Sequence, residues 1–292
     1  MYKSAYEAFK NGNGSWFRAN FHTHTGVCIE GKCGILPLDG VVDAYKQAGC
    51  NVLAISNHDR YIQRDKTYEG ISLLDAVEYS ASPHMLLIGV NEYHNVPHRE
   101  AIETALAAGG FVILCHPNWQ HKEYFPNDLI DSLDGYAGIE IFNAVVNRLP
   151  GSGLALDTWD HILSRGKRVW GFGNDDFHHY GDTCRVYNMI YAKSGSYPDI
   201  KEAVTGGCFY VSTGVALKEY AVDNDGIFVK AGYFRDSYIN NFEYKFSGPG
   251  GKILFKTEGE SAKFKPDGES YVRVEVTSEY GAKMYLQPAF AE

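Results

Sequence analysis

The chain has 292 residues, 45% of them hydrophobic, and a formal charge of -9. Those figures fit one large α/β domain, or such a domain with a smaller companion, in a globular protein. The negative balance argues against general binding to a nucleic-acid backbone or an anionic membrane, while leaving room for a local cationic pocket.

The first strand-like run, Trp16 to His24, ends in His22-Thr23-His24. Side chains alternate along a strand, so His22 and His24 project from one side and can hold one metal ion together. A loop follows, then a helical pattern from Leu38 through Val41, Val42, Tyr45 and Ala48, stopped by Gly49. The apolar run Asn51 to Ser56 reads as a strand buried on both faces, and it ends in Asn57-His58-Asp59. The grammar then repeats. Met85 to Val90 ends in Asn91-Glu92-Tyr93-His94, Arg99 to Ala108 is helical up to Gly109-Gly110, and Phe111 to Leu114 ends in Cys115-His116-Pro117.

Gly138 to Asn143 reads as the next strand, with Glu140 facing its end, and Leu154 to Leu163 as a helix. Arg168 to Gly173 leads into Asn174-Asp175-Asp176-Phe177-His178-His179, and Val186 to Tyr191 precedes a helix from about Pro198 to Thr205. Strand and helix signals alternate as in a barrel of parallel strands with outer helices, with seven strands instead of the common eight. Beyond Ser212-Thr213-Gly214 the runs alternate without helical period, which predicts a small all-β, sandwich-like domain over 215–292 after a barrel over 1–214.

In a barrel of parallel strands the functional groups gather at the C-terminal strand ends. Here those ends carry His22, His24, His58, Glu92, His94, His116, Asp176 and His178. Imidazole and carboxylate together suit Zn, Mn or Fe, and so many ligands exceed what one tetrahedral ion uses, so two or three divalent ions are expected, with Glu92 as the bridging carboxylate. Six cysteines lack a C-x-x-C pair, the pattern of reduced thiols. Cys115 is expected to pack on the helix side of its strand, and Cys28 and Cys33 are candidates for soft ligands or an exported protein's disulfide. The start, Met1 to Glu7, lacks the apolar core of a signal peptide, and no stretch has the length of a membrane span, so a cytoplasmic protein is the default expectation.

Taken together, the His-x-His pair, the -His-Asp and Gly-Val-Asn-Glu strand ends, Cys115-His116-Pro117, the late Asp-x-His and the run Ala203 to Gly214 resemble the polymerase and histidinol phosphatase (PHP) superfamily. The resemblance covers about Trp16 to Gly214 and implies a distorted seven-stranded barrel, up to three metals, and hydrolysis of phosphate mono- or diesters by a metal-activated hydroxide. It implies a first metal on His22, His24, Glu92 and Asp176. The second would rest on Glu92, His116 and His94, chosen before His98 because it lies closer to the strand end. The third would use His58, His178 and a ligand from the first loop, where Glu30-Gly31 stands in place of the family's Asp-Gly, while Asn57 replaces an Asp. Arg185 is the candidate to hold phosphate. Asp59, His179 and His121 are candidates to protonate the leaving group or orient ligands. The expected partner is a small phosphorylated substrate. Two alternatives stand beside this reading: an amidohydrolase-type metal hydrolase, which usually brings a later Lys and a single late Asp, a pattern that Glu92 and the Asp-x-His pair fit poorly, and a binding protein acting through the C-terminal β segment.

Overall fold

The computed structural model describes residues 2–26, 34–120, 124–235 and 241–292. In chain order the first half contains β1 (Tyr2–Lys3), α1 (Glu7–Lys10), β2 (Ser15–Asn20), α2 (Leu38–Gln47), β3 (Val52–Ile55), β4 (Ser72–Tyr79), β5 (Met85–Ile88), α3 (His98–Ala107), β6 (Phe111–Leu114), α4 (Asn127–Ser132) and β7 (Gly138–Asn143). Next come α5 (Leu156–Ser164), β8 (Trp170–Asn174), β9 (Tyr187–Ala192), α6 (Tyr197–Thr205) and β10 (Phe209–Ser212). The remaining strands are β11 (Val215–Asp223), β12 (Gly226–Tyr233), β13 (Phe242–Ser247), β14 (Ile253–Gly259), β15 (Ser261–Phe264), β16 (Tyr271–Ser278), β17 (Lys283–Leu286) and β18 (Ala289–Ala291).

The barrel sheet runs in the order β9-β2-β3-β4-β5-β6-β7-β8. β2, β3 and β4 pair in parallel, as do β6, β7 and β8. β2 and β8 meet beyond the strands themselves, where Thr23 bridges Phe177 through backbone hydrogen bonds from His24 N to Phe177 O (3.0 Å) and from Phe177 N to His22 O (3.2 Å). Strands buried on both faces read as unbroken apolar runs, and β3, β5 and β6 are buried at every position. One side chain set of these strands, Phe21, Ala54, Ala76, Leu86, Ile113 and Phe172, fills the interior. The alternate set, including Val112 and Leu114, packs outward in one cluster with Ile102 and Ala105 of α3.

Three departures from the expected architecture matter for function. β4 carries no clean strand signal, because Asp75 and Glu78 interrupt its apolar run, yet it sits in the middle of the sheet. β5 is antiparallel to both its neighbours, β4 and β6, and β9 is antiparallel to β2, so the strands do not all run one way. Cys115 faces the barrel interior with Phe21 and Ile113 instead of the helices, because it shares the parity of Ile113 and Phe111. At the far end, the Tyr197 hydroxyl of α6 donates to Gly109 O (3.0 Å) and covers Gly89, where a Cβ would meet it at 1.8 Å. Gly89 is thus required by close packing.

After Gly214 the described elements are strands and one short 3-10 turn. β11, β12 and β15 form a separate three-stranded sheet, while β17 pairs with both β10 and β16 and so carries the large sheet across residue 214. The two layers share a core of Tyr210, Leu217, Val229, Tyr244 and Val274. Asp160 of α5 ties the segments together, accepting from Arg273 Nε (2.8 Å) and Nη2 (2.6 Å) and from the Tyr271 hydroxyl (2.9 Å). No helix of the described residues is long and apolar enough to cross a membrane.

Candidate metal centre

Five chain segments deliver imidazoles and carboxylates to the barrel mouth. His22 and His24 follow β2, His58 follows β3, Glu78 lies near the end of β4, His116 follows β6, and Asp176 and His178 follow β8. His84 joins them at the start of β5, since an antiparallel strand begins where its neighbours end. His116 (φ 28°) and Asp176 (φ 57°) adopt left-handed backbone that non-glycine residues take only when the surroundings enforce it.

Glu78 is 1% exposed and stands at the centre. Its Oε1 lies 2.9 Å from His84 Nδ1, 3.3 Å from His22 Nε2 and 3.5 Å from His116 Nε2. Its Oε2 lies 2.8 Å from His58 Nδ1 and 3.3 Å from His24 Nε2. Asp176 Oδ1 stands 3.3 Å from His22 Nε2 and 3.2 Å from His24 Nε2. Two atoms bound about 2.1 Å from one ion at a tetrahedral angle are about 3.4 Å apart, so these spacings suit neighbours in a coordination shell. Overlapping sets of potential ligands follow: His22, His24 and Asp176; His22, Glu78, Cys115 and His116; His58, Glu78 and His84; and His24, His58 and His178.

The outer partners fix the inner ones. Glu140, fully buried, accepts from His22 Nδ1 (2.8 Å), His116 N (2.9 Å), Asn143 Nδ2 (2.9 Å) and Asn174 Nδ2 (3.0 Å). That places a proton on Nδ1 of His22 and turns Nε2 toward Glu78 and Asp176. Asp175 anchors the segment behind Asp176, accepting from the Tyr45 hydroxyl (2.8 Å) and the backbone N–H groups of Cys184 (2.7 Å), Arg185 (2.8 Å) and Val186 (3.0 Å). Burial pushes Asp175 up to about 7 even so.

Electrostatics follow the same geometry. Burial alone would lower His22, but Asp176, Glu78 and Glu140 hold its pKa well above the ordinary imidazole value. His24 is pushed down by burial to about 3 and is neutral. Burial would raise Glu78, yet His22, His58 and His84 hold it well below the usual carboxylate range, and His22, His24 and His178 do the same for Asp176 against its burial.

His22, His24, His58, His116, Asp176 and His178 come together as their strand ends predict. Glu92 and His94 do not: β5 runs the other way, so they lie past its far end, both exposed, with His94 Nε2 3.4 Å from Glu92 Oε2 in a separate cavity beside α3. Glu78 and His84 occupy the positions expected of them. His98, the alternative to His94, donates to or accepts from nothing at the mouth; its Nε2 meets Pro83 O at 2.7 Å. Asp59 does not line the mouth: its Oδ1 accepts from Ser80 N (2.8 Å) and so closes the turn between β4 and β5. His179 lines the pocket, with Nδ1 accepting from Gly181 N (3.0 Å). Arg185 is exposed and lines a neighbouring cavity; the cation at the mouth pocket is Arg148, half-exposed, with Nη2 3.2 Å from Asp182 Oδ2. Trp119, Val145 and Leu149 supply apolar wall to the same pocket, whose volume is about 360 Å³. Asn57 sits behind the mouth, accepting from Thr25 N at 2.8 Å. Glu30, His121, Cys28 and Cys33 lie outside the described residues.

No family model matches the sequence, and no curated protein matches it. Among solved structures, a two-domain protein containing a predicted PHP-like metal-dependent phosphoesterase from Bacteroides vulgatus matches with a TM-score of 0.55 at 14% identity, over 96% of this chain and 88% of that one. The lesion-specific endonuclease PfuEndoQ from Pyrococcus furiosus aligns with a TM-score of 0.48 at 15% identity, over 66% of this chain and 56% of that one. The first likeness is one of fold.

Proposed function

We propose that this chain, whose fold is PHP-like, is a metal-dependent hydrolase of small phosphate esters that works with two or three divalent ions. The observation that carries the reading is a set of buried polar atoms without hydrogen-bond partners, His22 Nε2, His24 Nε2 and Glu78 Oε2, converging on one point of the mouth. Burying such atoms unpartnered is costly, and a cation supplies the partner they lack. His22, His24, Glu78 and Asp176 would hold one ion, Glu78, His84 and His116 a second, and His58 and His178 a third, with Glu78 common to the first two sets. His22 holds a proton strongly in the metal-free site and would give it up to serve as a ligand.

Bound there, divalent ions would offset the charge of a phosphate ester and lower the pKa of attacking water. The remaining work falls to the chain itself. Arg148 presents a guanidinium at the rim, suited to bidentate contact with phosphate oxygens. His179 accepts at Nδ1, so its neutral ring carries its proton on Nε2, available to a leaving alkoxide. Trp119, Val145 and Leu149 exclude water from one side of the pocket. The amidohydrolase reading calls for a lysine at the centre, and none lines this pocket among the described residues.

The test is phosphate release from 4-nitrophenyl phosphate and 4-nitrophenol release from its bis ester, with protein loaded with Zn, Mn or Fe. Hydrolysis of one or both, reduced about 1,000-fold or more in Glu78→Gln, is expected. Absence of hydrolysis with every metal, or a rate indifferent to that substitution, contradicts the proposal.

A further inference from the structure

A second cavity, of about 520 Å³, adjoins the metal pocket and shares Arg148 and His179 with it. Its other walls come from both halves of the chain. Arg185 lies just before β9, Lys283 begins β17, and Phe142 of β7 and Tyr285 of β17 meet edge to face at 6.4 Å. The C-terminal β segment therefore lines a cavity that communicates with the candidate reaction centre through two shared side chains.

The charge of this cavity opposes that of the molecule. Arg185 makes no ion pair among the described residues, and the Lys283 ammonium donates to the Thr277 hydroxyl (3.1 Å), with no carboxylate partner among them. The lining carboxylate, Asp182, is buried and already engaged by Arg148 and by the backbone N–H groups of His178 (3.0 Å) and His179 (3.1 Å). In a chain of net charge -9, two uncommitted cations facing one cavity form a local reversal of sign. Both stand on fixed backbone. Arg185 N donates to the buried Asp175, and Lys283 N donates to Thr213 Oγ1 (2.8 Å) while Thr213 N donates to Lys283 O (2.9 Å).

Resting on the phosphoesterase reading, we infer that this cavity is a second anion subsite, and that the preferred substrate is a bisphosphate: one phosphoryl group at the metal centre, the other held by Arg185 and Lys283. Arg148, on the wall between the cavities, faces both phosphates. The subsite contributes binding at a distance from the bond that breaks, so it acts on KM before it acts on the chemical step.

The experiment compares n-butyl phosphate with the bisphosphates of ethanediol, butanediol and hexanediol, so that one spacer length fits. Metal-loaded wild type, Arg185→Gln/Lys283→Gln and the charge-keeping Arg185→Lys/Lys283→Arg are assayed for phosphate release, with circular dichroism to verify folding. The expected result is a KM for the best bisphosphate about tenfold below that of butyl phosphate, with the ratio collapsing toward one in the Gln pair and largely retained in the charge-keeping pair. A ratio near one in wild type, or a ratio that survives the Gln pair, overturns the inference. If no ester is turned over, the phosphoesterase reading fails, and the subsite is read by calorimetric titration of the butanediol bisphosphate. Binding weakened about tenfold in the Gln pair then supports the subsite. Equal binding, or none, removes it.

Discussion

Glu140 meets candidate ligands and their supports at the mouth, and it sets how His22 presents itself. Its carboxylate is held by four donors, and burial, which would raise its pKa, is outweighed by His22, His116 and Asn143, so it stays ionised. Replacing it by Gln keeps the shape but offers a weaker acceptor to His22 Nδ1–H. The expected outcome is metal affinity reduced about 10- to 100-fold in competition with a chromogenic chelator. Unchanged affinity would show that the ring is oriented by packing alone. At this scale the sequence was informative where chemistry and spacing coincide: His22 and His24, two apart, do meet, with ring centroids 5.1 Å apart. It set Glu140 at a strand end facing the mouth but left its role open, because a buried strand-end carboxylate reads the same whether it faces a metal, a histidine or a water. Arg148 was hidden, lying in a short 3-10 turn with no periodic context.

At the level of elements, the hairpin of β4 and β5 explains why Glu92 and His94 were the wrong residues to expect at the centre. Alternation tells which face a side chain takes but not which way the strand runs. The five residues Ser80-Ala81-Ser82-Pro83-His84 between two runs are the cue to a hairpin, and β4 itself was obscured by two acidic residues of which one, Glu78, is the central carboxylate. A candidate site residue thus broke the pattern that would have revealed its strand. Asp59 holds this hairpin through Ser80 N, while its own N–H donates to Glu78 O (2.8 Å). Asp59→Ala should therefore lower the unfolding free energy by about 1 kcal/mol in a urea titration of the metal-free protein, with the slope unchanged. A stability gain, or loss of hydrolysis with full stability, would return Asp59 to the chemistry.

For the molecule as a whole, the alternating first 214 residues and the strand-only remainder were legible because periodicity is local. Their union was not, since the β10–β17 pairing and the buried Arg273–Asp160 contact join residues far apart in sequence. That union has a consequence: Lys283 from the last segment and Arg148 from the barrel line the same cavity. The central claim is that one buried carboxylate, Glu78, organises a multinuclear centre at the barrel mouth. It is tested most directly by elemental mass spectrometry of the wild type, Glu78→Gln and Glu92→Gln, each purified without chelator and verified as folded. Roughly two to three equivalents of divalent metal are expected in the wild type and in Glu92→Gln, and fewer than about one in Glu78→Gln. Metal lost from Glu92→Gln and kept in Glu78→Gln, or no metal in the wild type even after reconstitution, would contradict it.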